Sequence, residues 1–201
     1  MHRALTILAL GSVPDVRIEA LVPTIHEIER LDLPIPPRAP FAEHRADLNR
    51  AFDAAAHDWI LILRERESID AALAAEIGQA VTETPTAWAY RIRVQPYYDG
   101  KPLRLDEDRE GEIRLVHRRH CRFAPSGEMK AQGTVVRMSA ALRGITFEGI
   151  DEHRDWLART AVPHSTTRRI LLFARNAIAT GALFDATTRR YLWIEAGYDR
   201  G

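Results

Sequence analysis

The sequence predicts an α/β fold, and three observations predict it. The run Trp59-Ile60-Leu61-Ile62-Leu63 is apolar without a break, as in a strand covered on both faces. It stops at four charges, Arg64-Glu65-Arg66-Glu67, after which Ile69, Leu73 and Ile77 recur at every fourth residue. That spacing is one stripe of a helix. Further on, Trp88, Tyr90, Ile92 and Val94 alternate with Ala89, Arg91 and Arg93, the period of a half-buried strand.

The remaining elements follow in order. Leu5–Leu10 reads as a first strand, ended by the turn-like Gly11-Ser12-Val13-Pro14. A signal peptide would need a longer apolar run. Val16–Ile28 reads as a helix kinked at Pro23, and Arg30–Leu33 as a short strand. Residues 34–40 contain four prolines and form a stiff loop. Phe41–Ala56 is expected to be helical, with Leu48, Ala51, Phe52 and Ala55 on one side. Strand 59–63 is followed by helix 68–80, with Ser68 as its N-cap. A turn at Thr82–Thr86 leads to strand Ala87–Gln95 and then to the turn Pro96–Pro102. Asp106–Gly111 is a charged, solvated loop, and Glu112–Phe123 reads as one strand. Ile150–Ala161, Thr167–Thr180 and Ala182–Trp193 are expected helices.

Composition sets bounds. The chain has 201 residues, 46% apolar and 28% charged, so it folds and buries a core as a single domain. It carries 28 basic and 28 acidic side chains. A net charge of zero argues against nucleic acid and membrane surfaces as partners. Lys occurs only at 101 and 130, so 26 of the 28 basic residues are Arg, as GC-rich codons would give. Cys121 is the only cysteine, which excludes an intrachain disulfide and suits a cytoplasmic location. No apolar run reaches the roughly 18–20 residues of a membrane span.

The chemistry is expected at the charged elbow, because ligands of open α/β sheets sit at the carboxyl ends of strands. The segment 58–77 resembles the family 2 glycosyltransferases of the lipopolysaccharide-core type. There an Asp-Trp pair and four apolar residues precede an Asp-X-Asp metal motif, and a helix with Leu-X-X-Glu-Ile follows. Asp58, Trp59, Glu67, Leu73, Glu76 and Ile77 fit that pattern. Tyr90–Gly100 resembles the family's next strand and turn, and Arg114, Leu115 and Arg118 resemble its Arg-Leu-Phe-Arg segment. Glu128 stands where the family has the Glu of a His-Glu pair, with Gly127 in place of the His.

The resemblance covers about residues 41–161. It implies a bacterial, three-layer α/β/α domain of the GT-A type with a mixed sheet and C-terminal helices. On that reading 1–57 is a degenerate, shortened nucleotide-binding half. Residues 58–149 supply the central strand, elbow and acceptor-side sheet, and 150–201 supply the helices. The sequence departs from the family where the chemistry lies. Arg64 and Arg66 replace the two aspartates that would hold Mg²⁺ or Mn²⁺ against a sugar-nucleotide diphosphate. Two cations there repel a divalent metal, so no metal or other cofactor is expected.

Three functional readings follow. In the first, the domain is non-catalytic and binds a nucleotide-sugar or another phosphorylated small molecule weakly. In the second, it is an active, metal-independent transferase. Arg64 and Arg66 would fork onto the diphosphate, Glu65, Glu67, Arg114 and Arg118 would complete the phosphate site, and Glu128 would act as base. In the third, it is an oligomeric scaffold, with helix 167–180 docking a partner. No phosphate-cradling Gly-rich loop and no nucleophile elbow occurs. On a continuous strand His117 and His120 would face opposite ways, so a zinc site is not expected.

Overall fold

The computed structural model describes residues 3–36, 39–81, 85–103, 110–147, 151–153 and 185–195. The chain divides into two compact units, one of residues 1–94 with 108–143, the other of 95–107 with 144–201.

The first unit is built on a mixed sheet. Strand β1 (Ala4–Leu10) lies between β2 (Glu27–Leu33) and β3 (Trp59–Arg64), parallel to both. Beyond β3 the direction reverses: β7 (Glu112–His117) runs antiparallel to it, and β5 (Ala89–Tyr98) antiparallel to β7. With β10 (Val135–Phe147) and the two-residue β4 (Glu67–Ser68), the order is β2-β1-β3-β7-β5-β10-β4. A separate hairpin pairs β8 (Cys121–Phe123) with β9 (Met129–Ala131).

Strand alternation divides the core into two clusters. Leu5, Ile7, Trp59, Leu61 and Leu63 pack on one face with helix α2 (Ala71–Ala80), through Leu73, Ala74 and Ile77. Leu8, Leu10, Ile60 and Ile62 pack on the other with helix α1 (Arg45–Ala54) and the hairpin, through Leu48, Phe52, Phe123 and Met129. β3 is therefore covered on both faces, as its unbroken apolar run requires.

Several expected elements change. The helix expected over 16–28 is two short 3-10 turns, Asp15–Arg17 and Glu19–Leu21, and β2 begins at Glu27 rather than at Arg30. Pro23 has no N–H to donate and ends helical propagation there. β2 pairs residue by residue with β1, from Ala4–Glu27 to Leu10–Leu33, and the ladder draws in residues of a helical-looking pattern. Helix α1 starts at Arg45, after a turn, and not at Phe41. The N-cap of α2 is Asp70, whose carboxylate accepts the Leu73 N–H at 2.9 Å. Ser68 lies in β4 instead. The strand expected over 112–123 is broken after His117 by a turn.

In the second unit, β6 (Lys101–Pro102) pairs with Tyr97 and Tyr98 at the end of β5. Residues 151–153 are helical, and the last helix spans Ala186–Glu195, capped by Asp185 accepting the Thr188 N–H at 2.8 Å. Tyr98, His153 and Tyr191 form a ring cluster with centroids 5.1–5.5 Å apart. The helix expected over 167–180 and residues 104–109 of the charged loop lie outside the described residues. No helix among the described residues is long and apolar enough to cross a membrane.

Candidate functional site

The elbow follows β3, so the sheet core presents it at that strand's carboxyl end. Glu67 turns inward and is buried, and so is Arg114. The Arg114 guanidinium donates to Glu67 Oε1 at 2.9 Å through Nη2 and to Oε2 at 3.3 Å through Nη1. Glu67 Oε2 also accepts the Arg64 backbone N–H at 2.8 Å. Glu112, at the start of β7, completes the group: its Oε2 lies 3.0 Å from Arg114 Nη2 and 3.3 Å from Arg64 Nη2. Two guanidiniums thus face two carboxylates. Arg64 also lies over the Phe41 ring, 4.6 Å from its centroid. Burial, together with the charge of Arg114, pulls the Arg64 pKa down, against the pull of Glu112 and Glu67.

A β-bulge delivers Arg114 to this place. On β5, Tyr90 pairs with Leu115 and Arg91 with Ile113, so Arg114 is the extra residue. Leu115 then packs in one core cluster and Ile113 against the other, although they are two apart. Bulges re-aim side chains in this way.

Glu65 and Arg66 are half-buried, as is Arg64. The Glu65 carbonyl accepts from Arg17 Nη1 at 2.6 Å. Its side chain lies over Gly11, where an added Cβ would come within 2.9 Å of Glu65 Oε2. Gly11 has φ +81°, and its N–H donates to the Leu33 carbonyl at 2.9 Å, so the ends of β1, β2 and β3 meet here.

Beside the network lies a cleft of about 220 Å³. Phe41, Ile113, Phe123 and Met129 are its apolar lining, and Arg91, Glu112 and Glu128 its polar one. Phe41 and Phe123 meet edge to face at 5.3 Å. Glu128 is exposed and pairs with Lys130 at 2.6 Å. Hydrogen bonding from Lys130, and its charge, lower the Glu128 pKa, which makes this carboxylate a weaker base. A second, more apolar cleft of about 470 Å³ lies between the end of β2 and α1, with Asp32, Asp47 and Arg50 among its lining.

The structure therefore brings Arg64, Glu67 and Arg114 into one network and sets Glu128 in the adjoining cleft. Arg118 is elsewhere. Its Nε donates to Asp58 Oδ1 at 3.2 Å, at the amino end of β3, and Arg119 does the same. Phe41, Arg91 and Glu112 were not singled out by sequence. Glu112 is 48 residues from Arg64, and no local pattern ties the two. Cys121 is buried, its thiol pushed up to about 11 chiefly by burial, and its Sγ lies 3.4 Å from the Trp88 carbonyl. It is no nucleophile at neutral pH. Among the described residues, no group of three or more His, Cys, Asp or Glu is placed to hold a metal ion.

Comparison with known proteins adds no identification: no protein-family model matches the chain, and no curated protein matches it.

Proposed function

We propose that the chain is a glycosyltransferase-like α/β domain whose donor-site elbow has become a charge-balanced clasp. It binds a phosphorylated small molecule weakly, without a metal ion, and does not turn it over. One observation carries this reading: Arg64 and Arg114 are already engaged by Glu67 and Glu112. Such a balanced group offers no net charge to a divalent cation or to a diphosphate. The order of the strands, parallel β2-β1-β3 followed by antiparallel β7 and β5, supports the GT-A-like reading of the fold. The transferase alternative requires Arg64 to leave Glu112, and Glu128 to leave Lys130 before acting as base.

The test is a thermal-shift screen against UDP, GDP, CDP, dTDP and their common sugars, each with Mn²⁺ and with EDTA. A ligand at 100 times its Kd adds about 2.7 kcal/mol. The expected shifts fall well below that and are equal with Mn²⁺ and EDTA. A large Mn²⁺-dependent shift, or hydrolysis of a donor, overturns the proposal.

A further inference from the structure

The turn between β7 and β8 holds a second cluster, apart from the elbow. His117 ends β7, His120 closes the turn, and Trp59 and Trp88 stand against them. The imidazole centroids are 5.1 Å apart, not on opposite faces as a continuous strand would set them. His117 lies 5.3 Å from Trp59 and 5.1 Å from Trp88, and His120 stacks on Trp88 at 3.9 Å.

The His117 side chain is 12% exposed. Its Nδ1 is buried, with no hydrogen-bond partner among the described residues. Its Nε2 is 3.9 Å from Asp58 Oδ2, too far for a hydrogen bond. A neutral imidazole tolerates this, because one nitrogen carries no proton. An imidazolium has two N–H donors and finds no acceptor for Nδ1. The surrounding charges act in the same direction. Asp58 alone favours the cation, and it already accepts from Arg118 and Arg119 at 3.2 Å each. His120, Arg119 and Arg118 oppose it. Tyr90 beside Trp59, Cys121 at the Trp88 carbonyl, and Arg122, which donates to the Arg118 and Cys121 carbonyls, are the other titratable or charged groups placed at this joint among the described residues. Burial first, and these cations with it, hold the His117 pKa below its ordinary value.

The cluster is also a joint. The His117 N–H donates to the Trp88 carbonyl, Arg118 N–H to Asp58, and Gln132 N–H to His120, each at 2.8 Å. One turn thus fastens the starts of β3 and β5 to the end of the β8–β9 hairpin. That hairpin and its loop present Phe123, Gly127, Glu128 and Met129 to the 220 Å³ cleft.

We infer that this turn is an acid-sensitive latch: a proton on His117 breaks the ring cluster, releases the β8–β9 hairpin from the sheet and opens the cleft that it lines. The latch is independent of what the cleft binds.

Hydrogen exchange of the full chain from pH 8 to pH 5, corrected for intrinsic rates, tests it. The Arg118 amide, bonded to the Asp58 carbonyl, and the Phe123 amide, bonded to Asn49 Oδ1, lose protection below about pH 6.5, by up to about tenfold per pH unit, the limit for one linked proton. Amides of β1 hold theirs. In His117→Phe, which keeps a ring but takes no proton, the hairpin stays protected throughout. Flat protection in the wild type overturns the inference, and so does the same pH dependence in the variant. Should the variant not fold, NMR titration of the wild-type imidazole decides. Hairpin amide shifts that move with a His117 midpoint below about 6.5 support the latch, and hairpin shifts that stay put through that midpoint, or a midpoint at or above about 6.5, overturn it.

Discussion

At the scale of single residues, the elbow shows what a buried charge requires. Glu67 and Arg114 are 7% and 2% exposed; Glu67 is tolerable there because Arg114 pairs with it, and Arg114 because Glu67 and Glu112 both face it. Replacing Arg114 with Met leaves Glu67 buried beside Arg64 alone. Removing one partner of such a pair costs about 3–5 kcal/mol, and urea unfolding should show a loss of that size. Adding Glu67→Leu to Arg114→Met should recover part of it. If the double variant is no better than the single, the pair is not what stabilises this corner. Glu128 is the contrasting case. It is exposed and, among the described residues, its ion-pair partner is Lys130 at the surface, so Glu128→Gln should leave the unfolding midpoint unchanged.

At the scale of elements, caps and turns decide boundaries that periodicity cannot. Asp70 has one defined task, to accept the Leu73 N–H at the start of α2. Asp70→Ala should therefore cost about 1 kcal/mol, whereas Ser68→Ala should leave the α2 N-terminus intact. A reversed ranking in denaturant midpoints would show the cap to be misassigned. Gly127 sits in the β8–β9 loop at φ +81°, where an added Cβ would meet the Ala42 backbone nitrogen at 2.4 Å. The left-handed conformation alone costs an L-residue about 1–2 kcal/mol, and that contact adds to it. Gly127→Ala should lower stability by more than this and move the hairpin away from the cleft.

At the scale of the whole molecule, stability should depend on pH in two steps. The His117 pKa is lowered in the folded chain, so below about pH 6.5 the unfolded chain takes up its proton first. Stability declines from there until the folded value is reached. Partial burial works to raise the Asp58 pKa, but the Arg118 hydrogen bond and the charges of Arg119, His117 and Arg118 outweigh it and lower it. The Asp58 contribution is thus present above its ordinary value near 4 and is lost as pH falls through the folded value. Urea midpoints measured from pH 8 to pH 3 should fall in both windows. A midpoint unchanged between pH 7 and pH 5 would show that His117 is not buried as described.

The amino-acid sequence by itself determined the elements whose periodicity is strong. Trp59–Leu63 forms a strand covered on both faces, and Leu73 and Ile77 form the inward stripe of α2, while Ile69, expected on that stripe, is buried in the same cluster just before the Asp70 cap. Its charge pattern also marked the elbow, since four charges after an apolar strand must find partners. The tertiary structure alone decided which partners. Glu112 and Arg114 reach the elbow through the β3–β7–β5 ladder and a bulge that inserts Arg114, and neither is visible in a local window. It also decided that Glu27–Leu33 is strand, by pairing with β1, and that His117 and His120 meet, by a turn inside an apparent strand. Burial of apolar surface is periodic and leaves a local trace. Ion pairing across a sheet depends on register between segments dozens of residues apart and leaves none.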